Sequence, residues 1–187
     1  MTALHRDAER LLASWRPPPD DQESLRQAFL SYLAARPDAC RRSCEPGHLT
    51  ASMALLDAAG SRILLTLHPR IGQWVQLGGH CEDGDATLAG AALREGTEES
   101  GIDGITIDPR PLHLAVHPIT CSLGVPTRHL DVRFVGIAPP HAVPRRCAES
   151  LDLRWWPIGS LATEPAVAPD IAALAELATA SPPAVRG

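Results

Sequence analysis

Long hydrophobic stretches are missing from this sequence of 187 residues. A helix that spans a bilayer needs about 20 consecutive apolar residues, and no window comes near that length. The opening residues MTALHRDAERLLASW also lack the basic start and the apolar segment of a secretory signal. We therefore expect a cytoplasmic chain that has no membrane partner.

An excess of basic residues is missing as well. Lys and Arg together number 17 against 22 Asp and Glu, which gives a formal net charge of −5. Nucleic-acid polymers bind to surfaces with a net positive charge, so we expect no nucleic-acid polymer as a partner. A small anionic molecule stays open as a partner, provided that a cation offsets the charge of the protein.

Cysteine pairs with the spacing of a zinc site are also absent. Cys40 and Cys44 lie in the segment CRRSC, and three further cysteines are scattered along the chain. An odd total of five fits reduced thiols in the cytoplasm. A metal clip formed by Cys40 and Cys44 is the less favoured interpretation, and packed or surface thiols are the preferred one.

Prolines divide the chain into a helical amino-terminal part and a mixed remainder. The run RPPPD at residues 16–20 ends a first helix, because proline is not tolerated inside one. A second helix is predicted after it, with apolar residues at helical spacing and Pro37 at its end. We assign residues 1–46 to an N-terminal helical extension.

The pattern then changes to short apolar runs that are typical of strands. Two such runs joined by DAAGS predict a β-hairpin, and a helix is expected from about Ala86 to Ser100, ended by Gly101. Further strands follow, and a closing helix begins after Pro169.

This order of elements predicts an α/β (α+β) fold in which a mixed β-sheet lies between helices. We assign residues 47–165 to the main domain and residues 166–187 to a C-terminal helix with a loose tail.

Three glutamates, Glu95, Glu98 and Glu99, share one side of the predicted central helix. At about 100° per residue they fall within roughly 100° of one another, where like charges repel. A solvated helix surface is the ordinary explanation of such a triplet. Here a double glycine precedes the helix and Arg94 adjoins the acids, so we favour a site for hard divalent cations, which prefer oxygen ligands.

The segment REGTEESGI, residues 94–102, resembles the second half of the Nudix box, whose pattern is G, five residues, E, seven residues, then REUxEExGU, where U is bulky and aliphatic. The upstream glycine of that pattern corresponds to Gly79. The matching residues of the second half are Arg94, Glu95, Glu98, Glu99, Gly101 and Ile102.

The likeness departs from the pattern between its two halves and once inside the helix. The interval from Gly79 to Arg94 is one residue longer than the pattern, so the first acid falls on Asp85. We expect the loop before the helix to absorb the extra residue. The aliphatic position after Arg-Glu holds Gly96, which favours a close approach between this helix and the sheet.

The resemblance to the Nudix family implies a Nudix-type fold and Mg²⁺-dependent hydrolysis of a diphosphate linkage in a nucleoside diphosphate derivative. The substrate would be a small molecule such as a nucleoside triphosphate, ADP-ribose or a sugar nucleotide. The resemblance also implies that Mg²⁺, or else Mn²⁺, is held by Glu95, Glu98, Glu99 and a carbonyl of the glycine loop, at Gly78 or Gly79.

The same resemblance gives Arg94 the role of positioning a glutamate by an ion pair rather than contacting the substrate. The catalytic base varies within the family. Glu98 or Glu99 could serve here, and so could Glu149 in the segment CAESLDLRWW.

Residues outside the box are candidates for substrate binding. His129, Asp131 and Arg133 alternate along one predicted strand and therefore share a face. That face is either the solvent side or the lining of the substrate cleft, with Arg133 or His129 on a phosphate. Arg70 could also reach a phosphate, and Trp156 belongs to the small set of aromatic residues that could stack on a base.

Two other functions compete with an active hydrolase. The first is a catalytically silent Nudix-fold module that binds or senses a nucleotide. The longer loop and Gly96, which depart from the family pattern, keep this alternative open. The second is an isomerase of prenyl diphosphates, for which Cys81 is the one cysteine near the glycines. The N-terminal helices could cap a monomer or exchange onto a partner, with a slight preference for a homodimer.

Overall fold

The computed structural model describes residues 1–17, 22–120, 124, 126–148 and 150–181. The chain begins with two helices, α1 (Ala3–Ser14) and α2 (Gln22–Ala35). The hydroxyl of Thr2 caps α1 by accepting a hydrogen bond from the backbone N–H of His5 at 3.2 Å. The predicted helices of the N-terminal part are therefore both present.

One mixed sheet holds the eight strands found in the described part of the chain. Strand β1 is central: it pairs antiparallel with β2 and β4, and parallel with β7. The pairing of β1 with β2 confirms the predicted hairpin. The strands are β1 (His48–Leu56), β2 (Arg62–Leu67), β3 (Trp74–Val75), β4 (Leu77–His80), β5 (Thr106–Ile107), β6 (His113–Thr120), β7 (Pro126–Ile137) and β8 (Leu153–Pro157).

Helices cover the sheet on both sides, which confirms the predicted fold class. Leu49 and Ala51 on β1 pack into a core cluster with side chains of α1, α2 and the central helix. Ala54 and Leu56, which alternate with them, pack instead with the closing helix α4 (Ile171–Ala180). Each aliphatic side chain as large as leucine contributes about 1.5–3 kcal/mol when it is fully buried in this way.

The central helix α3 (Leu88–Ser100) begins two residues later than expected, with Thr87 as its N-cap residue. The hydroxyl of Thr87 accepts a hydrogen bond from the N–H of Gly90 at 3.0 Å. A carboxylate oxygen of Asp7, on α1, accepts another from the N–H of Leu88 at 2.9 Å. The helix ends, as predicted, at Gly101 in the left-handed conformation, with φ of 62°.

Gly96 sets how closely α3 packs on the sheet. A Cβ atom at this position would overlap the terminal methyl group of Met53, a fully buried residue of β1. The terminal methyl group of Met53, which extends from β1, therefore takes the space that the aliphatic side chain of the family pattern would occupy.

The described chain ends with a 3-10 helix (Ile158–Thr163) and with α4, as the sequence predicts for this closing helix. None of the helices in the described ranges combines the length and the apolar character that crossing a membrane requires.

Candidate active site

The glycine loop lies directly against the acidic side of α3. A Cβ atom on Gly79 would lie 2.7 Å from a carboxylate oxygen of Glu95, so glycine lets the loop approach this side chain without displacing it. The N–H of Gly78 donates a hydrogen bond to Glu99 at 2.9 Å. The loop therefore lies close to one glutamate of the box and is hydrogen-bonded to another.

Arg94 organises the same region. Its Nη1 donates to Glu95 at 3.0 Å and to Glu98 at 3.1 Å. Its Nε and Nη2 bind both carboxylate oxygens of Asp85, at 3.2 and 3.0 Å, and Nη2 also reaches the carbonyl of His80 at 3.0 Å. The hydrogen bonds to Asp85 raise the pKa of Arg94, so the guanidinium keeps its charge.

The three glutamates differ in their access to solvent. Glu98 is exposed, with 59% of its side-chain area accessible, whereas Glu95 keeps only 16%. Glu99 is half-buried beside the loop. Carboxylate and carbonyl oxygens are the donors that Mg²⁺ and Mn²⁺ prefer, so the chemistry of this set fits a hard divalent cation.

A row of polar residues lines the opposite face of the sheet. Asp131 accepts hydrogen bonds from Thr50 at 3.0 Å, from Ser52 at 2.7 Å and from Nε of Arg133 at 3.2 Å. Nη2 of Arg133 also donates to Asp170, next to α4, at 2.6 Å. Asp131 and Arg133 are 4% and 1% exposed, so the interpretation of this row as the solvent side is wrong.

Three histidines continue this row at one end of the sheet. His48, His80 and His129 are the one group of at least three His, Cys, Asp or Glu found among the described residues with ligand atoms all within 4.8 Å of one another. Sequence reasoning considered His129 only as a phosphate ligand and did not bring the three together. The parallel pairing of β1 with β7 places His48 opposite His129. No local sequence pattern predicts this pairing.

Two candidates for substrate binding and one candidate base remain. Arg70 is exposed in the loop between β2 and β3, where its N–H donates to Nδ1 of His68 at 3.2 Å. Trp156 is half-buried, and its ring meets the ring of Trp74 edge-on at 5.3 Å between centroids. Glu149 lies outside the described residues.

Cys40, Cys44 and Cys81 are buried thiols rather than reactive groups. Burial raises the pKa of Cys81, the one cysteine considered for isomerase chemistry, well above its ordinary value, which disfavours the thiolate. Burial also raises the pKa of Cys40 to about 12, and Cys44 packs beside the hydroxyl of Tyr32 at 3.2 Å. Packed or surface thiols are the preferred interpretation of the sequence, and the structure places both Cys40 and Cys44 among the packed ones.

Comparison with known proteins identifies the domain around this site. The family model of the NUDIX domain matches residues 46–177, which include β1, the glycine loop, α3 and most of α4. The two N-terminal helices lie before the matched part. No curated protein sequence matches the chain.

Solved structures show the same fold at low sequence identity. A hydrolase of the NUDIX family from Clostridium perfringens is 22% identical, with 71% of this chain and 96% of that chain covered and a TM-score of 0.55. An Ap4A hydrolase from C. elegans is 18% identical over 71% and 95% of the two chains, with a TM-score of 0.55. The NUDIX domain of Shewanella oneidensis NrtR, complexed with ADP ribose, is 22% identical over 79% and 94%, with a TM-score of 0.53.

Proposed function

The chain belongs to the NUDIX domain family, and we propose that it is a Mg²⁺-dependent hydrolase that cleaves the diphosphate linkage of a nucleoside diphosphate derivative. One observation carries this proposal: the glycine loop lies close to Glu95 and donates a backbone hydrogen bond to Glu99, while Arg94 bridges Glu95 and Glu98. This arrangement gathers carboxylate oxygens beside the glycine loop, and oxygen atoms are the ligands that a hard cation prefers.

Glu95, Glu98, Glu99 and a carbonyl at Gly78 or Gly79 would hold Mg²⁺ or Mn²⁺. When bound, the cation would neutralise the charge of the diphosphate and lower the pKa of a water molecule. The protein keeps its own ligands in place, because Arg94 restrains Glu95 and Glu98 and the Gly78 N–H restrains Glu99. Such restraint lowers the reorganisation that the reaction requires.

We propose Glu98 as the general base. It is the one exposed residue of the three glutamates, so a water molecule can approach it. Arg94 contacts only one of its carboxylate oxygens, Oε2, in the hydrogen bonds of the structure. The other oxygen can accept a proton from the attacking water while the ion pair holds the side chain in place. Glu99 is the alternative base, with its Oε2 bound to the loop N–H.

The phosphate groups of the substrate require cationic partners. We propose Arg70 for this role because it is exposed in the loop after β2, and Trp156 as the aromatic surface for a base. We do not extend the phosphate role to Arg133, whose guanidinium is buried and bonded to Asp131 and Asp170.

A substrate panel with Mg²⁺ and with Mn²⁺ tests the proposal, with the products resolved to show which P–O bond breaks. The panel includes nucleoside triphosphates, ADP-ribose, sugar nucleotides and diadenosine tetraphosphate. On the best substrate, Glu98→Gln should lower kcat at least about a hundredfold while the protein folds normally. The control Glu176→Gln removes an exposed glutamate of α4 and should leave kcat unchanged. Full activity of Glu98→Gln would show that the site is assigned wrongly.

A binding module without turnover is the second candidate, favoured by the likeness to the NUDIX domain of NrtR, a structure that contains ADP ribose. Calorimetry with ADP-ribose and Mg²⁺ separates the two functions. Tight binding without product formation over the whole panel would support the binding module, whereas turnover would support the hydrolase.

A further inference from the structure

His48, His80 and His129 come from three paired strands. β1 pairs with β7 so that His48 lies opposite His129, and it pairs with β4 so that Thr50, two residues further along, lies opposite His80. The three imidazole rings surround one point, with distances between ring centroids of 5.1, 5.0 and 4.9 Å.

The three rings present nitrogen atoms that have no hydrogen-bond partner. Nε2 of each histidine is buried and unpaired in the structure. His48 as a whole is 1% exposed, whereas His80 and His129 are half-buried. A buried polar atom that lacks a partner costs about 1–3 kcal/mol, and three in one place call for a ligand that all of them can bind.

The surroundings of His48 also fix its tautomer for coordination. Its Nδ1 lies 3.3 Å from the carbonyl oxygen of Cys44, which can only accept a hydrogen bond. The proton therefore resides on Nδ1, which leaves the lone pair of Nε2 available for coordination. A backbone carbonyl bonded to the second nitrogen is the usual support of a metal-binding histidine.

The donor atoms of this group are imidazole nitrogens on buried or half-buried side chains. Neutral imidazole nitrogens suit zinc and other divalent transition metals, whereas Mg²⁺ prefers oxygen donors.

We propose that His48, His80 and His129 form a binding site for a divalent transition-metal ion, with Zn²⁺ as the ion that fits best and a fourth coordination position left open. Zinc–nitrogen bonds of about 2.0–2.1 Å place tetrahedral ligand atoms about 3.4 Å apart. The ligand atoms here lie within 4.8 Å of one another, so small side-chain rotations bring them to the metal.

This site is separate from the carboxylate site, although one strand serves both. Gly79 of β4 faces Glu95 on α3, and alternation along the strand turns the next residue, His80, to the other face of the sheet. Leu49 and Leu130, next to the other two histidines, pack on the α3 side. The proposal therefore stands whether or not the glutamates catalyse hydrolysis.

Metal analysis of the full-length protein tests the site. The protein is stripped with a chelator, loaded with Zn²⁺ in the presence of excess Mg²⁺, desalted and measured by mass spectrometry of the metal. One Zn²⁺ per chain is expected, both in the wild type and in Glu98→Gln, which weakens the carboxylate site. No retained Zn²⁺, or retention that disappears in Glu98→Gln, would overturn the proposal.

Ligand variants locate the ion. His48→Gln, His80→Gln and His129→Gln should each raise the Kd for Zn²⁺ at least about tenfold, since even partners of metal ligands change affinity by 10- to 100-fold. The control His141→Asn removes an exposed histidine and keeps a residue type that tolerates its positive φ of 62°. Equal affinity in the ligand variants and the control would overturn the assignment.

A spectroscopic measurement on the wild type tests the site even if the histidine variants fail to fold. Co²⁺ in place of Zn²⁺ should give the intense visible absorption of a four-coordinate ion, and X-ray absorption fine structure should show imidazole scattering from three ligands. A six-coordinate oxygen environment would mean that the ion occupies the carboxylates, and the proposal would then be wrong.

Discussion

The two faces of strand β4 carry opposite chemistry. Gly79 lets the loop approach the carboxylate of Glu95, which is hydrogen-bonded to Arg94. His80 faces the other way, into the group of imidazoles that includes His48 and His129. A single residue step along an extended strand thus separates the site proposed for a hard cation from the site proposed for Zn²⁺.

The difference lies in how each face is held in place. Most of the acidic face belongs to one short segment, because Asp85, Arg94 and the glutamates are close in sequence. The polar face is assembled from distant segments by the pairing of β1 with β4 and β7. Stability should therefore depend more on the buried polar row, and turnover more on the acidic face.

The largest expected effect is the loss of stability when the buried polar row of Asp131 and Arg133 is broken. Asp131→Ala should lower the free energy of unfolding by about 3 kcal/mol, the lower end for a broken buried pair, because Arg133 keeps Asp170 as a partner. Asp152→Ala is the matched control, since Asp152 and Arg154 form the same i,i+2 pair on an exposed surface. The free energy of unfolding of this control should fall by no more than about 1 kcal/mol. Equal losses in urea denaturation would remove the contrast between the two pairs.

The acidic face is tested by Arg94→Lys. Lysine keeps the charge but cannot bind Asp85 through two parallel hydrogen bonds while also holding Glu95 and Glu98. Steady-state kinetics should show kcat reduced about tenfold to a hundredfold, the range found for residues that position metal ligands. Arg36→Lys changes a comparable bidentate pair away from the site and should keep wild-type kcat. Wild-type turnover in Arg94→Lys would contradict its positioning role.

Asp7 tests whether the N-terminal helices support the acidic face. Asp7→Ala removes the acceptor for the Leu88 N–H at the start of α3 and should cost about 1 kcal/mol, as the loss of a helix cap does. For a chain of this size the melting temperature should fall by about 2–4 °C. Asp7→Asn keeps a side-chain acceptor and should lose less. An unchanged melting temperature in the alanine variant would show that this contact does not stabilise α3.

The smallest expected effect is a loss of stability at acid pH. Burial alone would raise the pKa of Asp170, but the charge and hydrogen bond of Arg133 outweigh it and leave the pKa below its ordinary value. The folded state therefore gains stability from this carboxylate above its unfolded pKa of about 4 and loses it as pH falls through the folded pKa. Because the side chain is 44% exposed, screening limits the gain to less than about 1 kcal/mol.

Unfolding curves at pH 6 and pH 3 measure this contribution. The stability difference between the wild type and Asp170→Asn should be larger at pH 6 and should shrink as the solution becomes more acidic. A difference that grows toward low pH would have the wrong sign for a carboxylate that is stabilised by the guanidinium of Arg133.

Local signals made much of the acidic face predictable. The hairpin turn, the helix that ends at Gly101 and the spacing of Glu95, Glu98 and Glu99 are all short-range features. The contact of Asp7 with Leu88 joins residues 81 positions apart and could not be read from either segment. Nonlocal contacts of this kind depend on packing rather than on local propensity.

The polar face was harder to predict for the same reason. Alternation placed Asp131 and Arg133 on one side of a strand, but whether that side met solvent depended on strand order and on α4. The gathering of His48, His80 and His129 depends on a parallel pairing between strands about eighty residues apart in the chain. Sequence periodicity indicates a face of a strand without indicating what covers it.

The most direct test of two metal sites on opposite faces of one strand is diffraction from crystals grown with both Mn²⁺ and Zn²⁺. Anomalous difference maps at the two absorption edges locate each ion. We predict a manganese peak among Glu95, Glu98 and Glu99 and a zinc peak among His48, His80 and His129. A map with both ions at the carboxylates and none between the imidazoles would contradict the account.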